Sequence, residues 1–181
     1  MIYISSDLHL CHDRDFVYQP RGFKSVDEMN ETIIKNFCKT LTYDDDLYLL
    51  GDECLNDNEK AKKYLAQIRC KVHFIQGNHD SNTRVEMYEK LGWENLGGAA
   101  FLKYKGYSFY LSHYPTLCSN GDETKPLKGR VINICGHTHT KDPFLDWDKG
   151  LIFHAEVDTN NCQPWNISEI LRQIQEKVKK D

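Results

Sequence analysis

Several patterns that would assign this sequence to a class at once are missing from it. No apolar run approaches the ~20 residues that a membrane-spanning helix needs. Neither the Gly-rich dinucleotide fingerprint nor the Walker pattern occurs, so nucleotide binding of those two kinds is not indicated. There is no internal repeat, no low-complexity tract and no domain linker. The 181 residues therefore predict a single domain, residues 1–181, with a core of its own.

Charge and cysteine content exclude further classes. A net charge of −4 gives no overall attraction to nucleic acid or to anionic membranes. The seven cysteines are scattered without a Cys-x-x-Cys pair, which favours free thiols in a reducing cytoplasm over a disulfide framework or a zinc knuckle. The N-terminus lacks a basic region and reaches Asp7 at once, so we expect no signal peptide and a cytoplasmic location.

What the sequence does contain is a series of short apolar runs, each typical of a buried strand. The predicted strands are residues 2–4, 47–50, 71–76, 101–104, 107–111, 131–135 and 151–155. Apolar residues at spacings of three and four predict helices between them. These helices are residues 26–41, which follow a capping box at Ser25, and residues 56–68, 83–91 and 168–180.

Five of the predicted strands are followed directly by side chains that can bind a metal ion. In chain order these residues are Asp7 and His9, Asp52, Asn78 and His79, His113, and His137 and His139. In open α/β sheets, ligands bind just outside the carboxyl ends of strands. Mixed imidazole and carboxylate ligands suit Mn, Fe, Zn or Ni better than Ca or Mg. The recurrence at five strand ends indicates that these side chains form one site.

Taken singly, each of these signals has an ordinary structural explanation. Asp7 and His9 alone are consistent with turn chemistry, and His113 alone is equally consistent with a hydrogen-bonded structural histidine. No other residue in the sequence pairs with Glu53, so its role stays open. The polar stretch 116–129 is predicted to be either a functional lid or a mobile loop.

The order of the motifs resembles that of the calcineurin-like metallophosphoesterases: Asp-x-His, Gly-Asp, Gly-Asn-His-Asp, His and Gly-His-x-His. The motifs cover residues 7–139, and the stretches 23–30, 112–115 and 167–170 are similar to those of a short subgroup of bacterial and phage members. The resemblance implies an α/β (α+β) sandwich of four layers, in which two central, mostly mixed β-sheets are flanked by helices.

The resemblance also implies two divalent transition-metal ions, Mn first, with Fe, Zn or Ni as alternatives. One ion would be held by Asp7, His9, Asp52 and His139. The other would be held by Asp52, Asn78, His113 and His137, with Asp52 as the bridge. The catalytic proton donor would be His79. The contacts to substrate would be Asn78, His79, His12, Arg21 and Tyr114.

Two features depart from the family pattern. Glu53 stands where the family usually has an apolar or small residue, and this acid could alter the metal affinity. The run 154–158 is more polar than we expect at that place in the chain.

The implied activity is hydrolysis of a phosphate ester by a hydroxide that two metals activate. A phosphodiester is favoured, with a nucleotide or an oligonucleotide end as the substrate partner, because no Arg or Lys lies within the five motifs. A monoester dianion generally needs further fixed cations. The alternatives are a phosphomonoesterase or protein phosphatase on the same site, a non-catalytic protein-binding scaffold, and a single structural metal. No membrane partner is expected, and the sequence assigns neither the physiological substrate nor the oligomeric state.

Overall fold

The computed structural model of the chain describes residues 1–118 and 124–180. Within those ranges the strands are β1 (Ile2–Ser5), β2 (Asp46–Leu49), β3 (Lys71–Phe74), β4 (Glu94–Asn95), β5 (Ala99–Tyr104), β6 (Tyr107–Ser112), β7 (Val131–Cys135), β8 (Ile152–His154) and β9 (Trp165–Asn166). The helices are α1 (Asp15–Tyr18), α2 (Val26–Thr40), α3 (Asn58–Leu65), α4 (Asn82–Lys90), α5 (Trp147–Gly150) and α6 (Ile167–Lys180).

The first sheet has five strands in the order β4-β3-β2-β1-β9. Strands β1 to β4 are parallel, and only β9 runs antiparallel to its neighbour. Tyr3 of β1 pairs with Leu47 of β2, which in turn pairs with Val72 of β3. Because these strands are parallel and in register, their carboxyl ends lie at one edge of the sheet.

The second sheet has four strands in the order β5-β6-β7-β8. Strands β5 and β6 form the predicted hairpin, whose turn residues Lys105 and Gly106 both have positive φ, at 48° and 81°. Such a pair of residues gives the tight turn that matches the twist of a hairpin. Strands β6, β7 and β8 are parallel, so β6 and β7 also end at a common edge.

Alternating side chains on the strands supply two cores. Leu47 and Leu49 of β2 pack with helices α2, α3 and α4 in the first core. Tyr48 of β2 and Leu50, which follows it, pack in the second core, with the second sheet and α6. Helix α2 begins at the predicted cap, where the hydroxyl of Ser25 accepts a hydrogen bond from the N–H of Glu28 at 3.2 Å.

The predicted fold class, two mixed sheets flanked by helices, is confirmed. The predicted elements are present, with ends that differ by at most three residues. The helix predicted over 56–68 is shorter because Asn56 has a left-handed backbone (φ 60°) and Asp57 caps α3. The short elements α1, β4, α5 and β9 were not predicted, since two to four residues carry no usable periodicity.

Two simple properties of the chain bear on its chemistry. All seven cysteines are free, as their scattered positions predict. Within residues 1–118 and 124–180, no helix combines the length and the apolar character needed to cross a membrane.

Candidate metal centre

The carboxyl ends of the central strands of both sheets meet at one place. The N–H of Asp7, after β1, donates to the carbonyl of Gly51, after β2, at 3.0 Å. The N–H of Gly136, after β7, donates to the carbonyl of His113, after β6, at 3.0 Å. The N–H of His137 then joins the two sheets by donating to Oδ2 of Asp7 at 2.8 Å. These links fix the spacing of the strand ends, so the side chains that follow them are held in place.

Three motif glycines allow this close approach. A Cβ on Gly51 would lie 2.6 Å from the backbone of Gly77, and Gly51 also has a φ of +98°. A Cβ on Gly77 would overlap the carboxylate of Asp52, and one on Gly136 would overlap that of Asp7. Contacts this short do not occur for real Cβ atoms, so these positions require glycine for space.

We call Asp7, His9 and His139 the first cluster. Nε2 of His9 lies 3.6 Å from Oδ1 of Asp7, and Nε2 of His139 lies 3.7 Å from the same oxygen. Burial lowers the pKa of His9 to about 4, which keeps its imidazole neutral near pH 7. The neutral imidazole of His9, facing the buried carboxylate of Asp7, is a donor suited to a cation.

We call Asp52, Asn78, His113 and His137 the second cluster. Nε2 of His113 lies 3.6 Å from Oδ2 of Asp52, 2.8 Å from Oδ1 of Asn78 and 3.2 Å from Nδ1 of His137. Oδ2 of Asp52 also lies 3.7 Å from Nε2 of His9. This oxygen therefore faces both clusters, which is the position that a bridging ligand needs.

The donor atoms fit divalent transition metals. Buried polar atoms almost always have a hydrogen-bond partner, yet Oδ1 of Asp7 and Nε2 of His9 have none among the described residues. Two triads have ligand atoms within 4.8 Å of one another, namely Asp7 with His9 and His139, and Asp7 with Asp52 and His113. These orphaned atoms and the mixture of imidazole and carboxylate match Mn, Fe, Zn or Ni.

The backbone at this place is unusual for residues other than glycine. Five predicted ligands have positive φ: Asp7 (56°), His9 (48°), Asp52 (61°), His137 (79°) and His139 (51°). Each such residue costs of order 1–3 kcal/mol and persists only where surrounding contacts impose it. Such strain is concentrated at functional sites, and here it coincides with the ligand atoms.

His79 lies beside Asp52 with its side chain 42% exposed. Its N–H donates to Oδ1 of Asp52 at 2.8 Å, and its Nε2 lies 3.9 Å from Oδ2 of the same carboxylate. The carbonyl of His79 accepts a hydrogen bond from Arg84 at 2.6 Å. The backbone of His79 is therefore fixed on both sides while its imidazole stays open to solvent.

Two other predicted substrate contacts lie at the rim of the site. The ring of His12 is centred 6.3 Å from that of His79, and its Nδ1 lies 3.3 Å from Nδ1 of His9. Tyr114 is 51% exposed, and its ring is centred 4.7 Å from that of His137. The structure thus brings both residues next to the clusters.

Arg21, which we predicted to contact substrate, is bonded within the protein in this structure. Its side chain is only 2% exposed, and its guanidinium donates to both carboxylate oxygens of Asp158, at 2.9 and 2.8 Å. It also donates to the carbonyls of Leu8 and Asp7, at 3.0 and 2.8 Å. The charge that we expected to face a phosphate is instead used inside the protein.

Asp158 is a residue of the site that sequence reasoning missed. Its Oδ2 lies 3.4 Å from Nδ1 of His139. Burial favours the neutral acid, but hydrogen bonds from His139 and Arg21 hold the pKa of Asp158 below its ordinary value. The available signal was the unexpectedly polar run 154–158, which we recognised only as a departure from the family pattern.

Two buried glutamates support the ligand turns. Oε1 of Glu156 accepts hydrogen bonds from the N–H and the hydroxyl of Thr138, between the two histidines of its motif, at 3.1 and 2.8 Å. Oε1 of Glu53 accepts one from the N–H of Gly51 at 3.0 Å. Burial raises the pKa of Glu53 well above its ordinary value. The open question about Glu53 thus has a structural answer in the turn that precedes Asp52.

The predicted lid or mobile loop over 116–129 includes residues 119–123, which lie outside the described residues. In the described part, the N–H of Thr116 donates to Oδ1 of Asn133 at 2.9 Å, and a 3₁₀ turn spans Leu127–Gly129. The start of the segment is therefore anchored to β7.

Comparison with known proteins agrees with this geometry. A model of the calcineurin-like phosphoesterase superfamily domain matches residues 1–154. An uncharacterized protein of Methanocaldococcus jannaschii is 31% identical over 180 residues, which are 96% of this chain and 91% of that protein. A crystal structure of a protein of unknown function from Aquifex aeolicus has a TM-score of 0.74 at 23% identity, covering 96% of this chain and 98% of that one. A novel archaeal phosphodiesterase has a TM-score of 0.47 at 17% identity over 88% and 86% of the two chains, a likeness too low to bear on fold or function.

Proposed function

The chain belongs to the calcineurin-like phosphoesterase superfamily, and on that premise we propose that it hydrolyses phosphate esters with two divalent cations, favouring nucleotide-type phosphodiesters. When bound, such cations lower the pKa of a water and balance charge on the attacking and leaving oxygens. The observation that carries the proposal is the position of Oδ2 of Asp52, 3.7 Å from Nε2 of His9 and 3.6 Å from Nε2 of His113.

In this proposal His79 donates a proton to the leaving oxygen. Its imidazole is exposed, and its backbone is fixed to Asp52 and Arg84. A side chain held in this way can meet a substrate at the clusters without itself binding a cation. Proton transfer by a positioned side chain contributes about 10²–10⁴-fold in rate.

His12, Tyr114 and the amide of Asn78 would complete the contacts to the phosphate. Asn78 belongs to the second cluster and the other two residues lie beside the clusters, and Asn78 and Tyr114 are exposed. They offer hydrogen-bond donors and no fixed charge, which suits orientation of the ester more than neutralisation of its charge.

The charge balance favours a diester. Two divalent cations carry twice the charge of the Asp7 and Asp52 carboxylates, so the net positive charge suits a monoanionic ester. A monoester dianion gains more from added fixed cations, especially a bidentate arginine. Arg21 is buried and fully bonded, and Arg84 is bonded to Asn58 and to the carbonyl of His79.

The test is hydrolysis by the Mn²⁺-loaded protein of a panel of nucleotide and aryl phosphomonoesters and diesters. We expect turnover, with diesters preferred, and an Asp52→Asn control prepared in parallel should remove it. Turnover that survives in the control would reveal a contaminating phosphatase. No turnover of any ester with Mn²⁺, Fe²⁺, Zn²⁺ or Ni²⁺ would contradict the proposal and favour a binding scaffold.

A further inference from the structure

Arg21 and Asp158 form a buried ion pair beside the first cluster. Nε and Nη2 of Arg21 donate to Oδ1 and Oδ2 of Asp158 at 2.9 and 2.8 Å, and the two side chains are 2% and 5% exposed. A bidentate pair of this kind is strong and fixes the plane of both groups. The pair joins the loop before α2 to the turn after β8, segments 137 residues apart in the chain.

The other hydrogens of the Arg21 guanidinium are also occupied. Nη1 donates to the carbonyl of Leu8 at 3.0 Å and contacts Sδ of Met29 at 3.4 Å, and Nη2 donates to the carbonyl of Asp7 at 2.8 Å. A guanidinium has five N–H groups, and with the two carboxylate oxygens all five have an acceptor. Nη2 also lies 3.3 Å from Nδ1 of His139, a longer contact than those to the two oxygens, at 2.8 Å, that its hydrogens already reach.

The surroundings of Nδ1 bear on which nitrogen of His139 carries the proton. Oδ2 of the ionised Asp158 can only accept a hydrogen bond and lies 3.4 Å from Nδ1 of His139, so this contact favours a hydrogen on Nδ1. In the neutral imidazole Nε2 is then unprotonated, and it lies 3.7 Å from Oδ1 of Asp7. A carboxylate that accepts from one imidazole nitrogen commonly orients the other toward a metal and raises its basicity.

We propose that Arg21 and Asp158 are positioning residues that hold His139 in the tautomer able to bind a cation, and thereby set the cation affinity of the first cluster. The inference rests on the proposed function, since it takes His139 as a ligand. Asp158 lies beyond residues 1–154, which the family model matches, and beyond the motifs at 7–139.

The competing explanation is that the ion pair only holds two loops in contact and so stabilises the fold. In that case the tautomer of His139 would not depend on Asp158. Loss of the pair would lower the overall stability of the fold without lowering the affinity for one particular ion. The experiments therefore measure which nitrogen of the imidazole is protonated and how tightly each ion binds, in addition to activity.

The first experiment needs no change to the pair. Long-range ¹H–¹⁵N correlation spectra of the metal-free, ¹⁵N-histidine-labelled protein report which nitrogen of each imidazole is protonated, and His139→Gln assigns the signal. We expect Nδ1 of His139 to carry the proton. A spectrum in which Nε2 is mainly protonated would overturn the inference, whatever the protein hydrolyses.

The second experiment titrates metal-free Asp158→Asn with Mn²⁺ by calorimetry. The affinity for one ion should fall by about 10–100-fold, the range seen when a partner of a metal-bound histidine is lost, while the other ion binds as before. Asp46→Asn is a matched control, because Asp46 contacts His73 at 2.9 Å at the start of β2, away from both clusters. Unchanged affinities, or equal losses for both ions, would overturn the inference.

If Asp158→Asn does not fold, Arg21→Lys takes its place. Lysine keeps the charge but cannot form the bidentate fork, so we expect a smaller loss of affinity at the same ion. A loss at the other ion would contradict the inference. The variants could lower the affinity for one ion as expected while the protein hydrolyses no phosphate ester. That result would support this inference and reject the proposed function.

Discussion

The two candidate ligand clusters each contain one aspartate and two histidines, and the second adds Asn78, but they differ in the residues that contact their histidines. In the first cluster, His139 is backed by the buried, ionised pair of Asp158 and Arg21. In the second cluster, Nδ1 of His113 donates to the main-chain carbonyl of Leu50 at 2.9 Å. A carboxylate raises the basicity of an imidazole more than a carbonyl does. Similar ligands can therefore form two sites of unequal strength.

Exposure differs within each cluster. Asp7 and His9 of the first cluster and Asp52 and His113 of the second are buried, whereas His139, Asn78 and His137 are exposed. Each cluster thus has a buried part and at least one side chain open to solvent.

Replacing Asp52 should lower the cation affinity of both clusters, because its Oδ2 faces both. We expect Asp52→Asn to weaken both ions by more than the roughly 100-fold that marks loss of an outer partner, and to remove activity. Metal analysis and calorimetry of the metal-free protein measure this, with Asp46→Asn as control. An Asp52→Asn protein that holds two ions as tightly as the parent would disprove the bridge.

Replacing His79 should leave cation binding at both clusters unchanged. We expect His79→Ala to keep both ions and the fold, while kcat falls by about 10²–10⁴-fold for a poor leaving group. An aryl leaving group needs little protonation, so it should lose less. Steady-state kinetics with both kinds of ester decide between the roles of His79. Equal losses would mean that His79 only positions the phosphate, and loss of metal would make it a ligand.

His139 contacts a carboxylate whereas His113 contacts a main-chain carbonyl, and this difference predicts two separate cation-binding steps. We expect Mn²⁺ to bind the parent protein in two steps that differ by about 10-fold or more, the lower end of the effect of an outer carboxylate. His139→Ala should remove the tighter step and His113→Ala the weaker one. Calorimetry of the two variants side by side measures this, and the reverse assignment would contradict our comparison.

The convergence of the candidate ligands at one place could be predicted from the sequence, whereas the residues that contact them from behind could not. Asp7, Asp52 and His113 each follow an apolar strand, and parallel strands bring their ends together whatever the loops do. The prediction therefore needed only the strands and their order. The glycines of the motifs follow from the same geometry, since the strand ends approach too closely for a Cβ.

The contact between Arg21 and Asp158 depends on how two distant loops cross. Neither residue ends a strand, and no spacing rule links segments 137 residues apart. The guanidinium was therefore assigned to the substrate, as an arginine near a phosphate site commonly would be. Only the count of its acceptors shows that the protein itself uses all of its donors.

The smallest effect that we predict is a preference for diester over monoester. Because Asn78 and His137, the exposed residues of the second cluster, offer no guanidinium, added charge on the ester brings no matching gain. We expect a severalfold higher kcat/KM for bis-p-nitrophenyl phosphate than for p-nitrophenyl phosphate, at the same Mn²⁺ concentration and pH. The two esters share a leaving group, so the ratio reports on charge and on the second ester arm.

Variants of the neighbouring arginines sharpen this last comparison. Arg14 and Arg130 are close in sequence to motif residues, and Arg14 is exposed. If neither guanidinium reaches the phosphate, Arg14→Gln and Arg130→Gln should leave the ratio of diester to monoester unchanged. A parent protein that prefers the monoester, together with a loss of that preference in one variant, would place a guanidinium at the phosphate. The charge argument for a diester would then fail, while the two-cluster site would still stand.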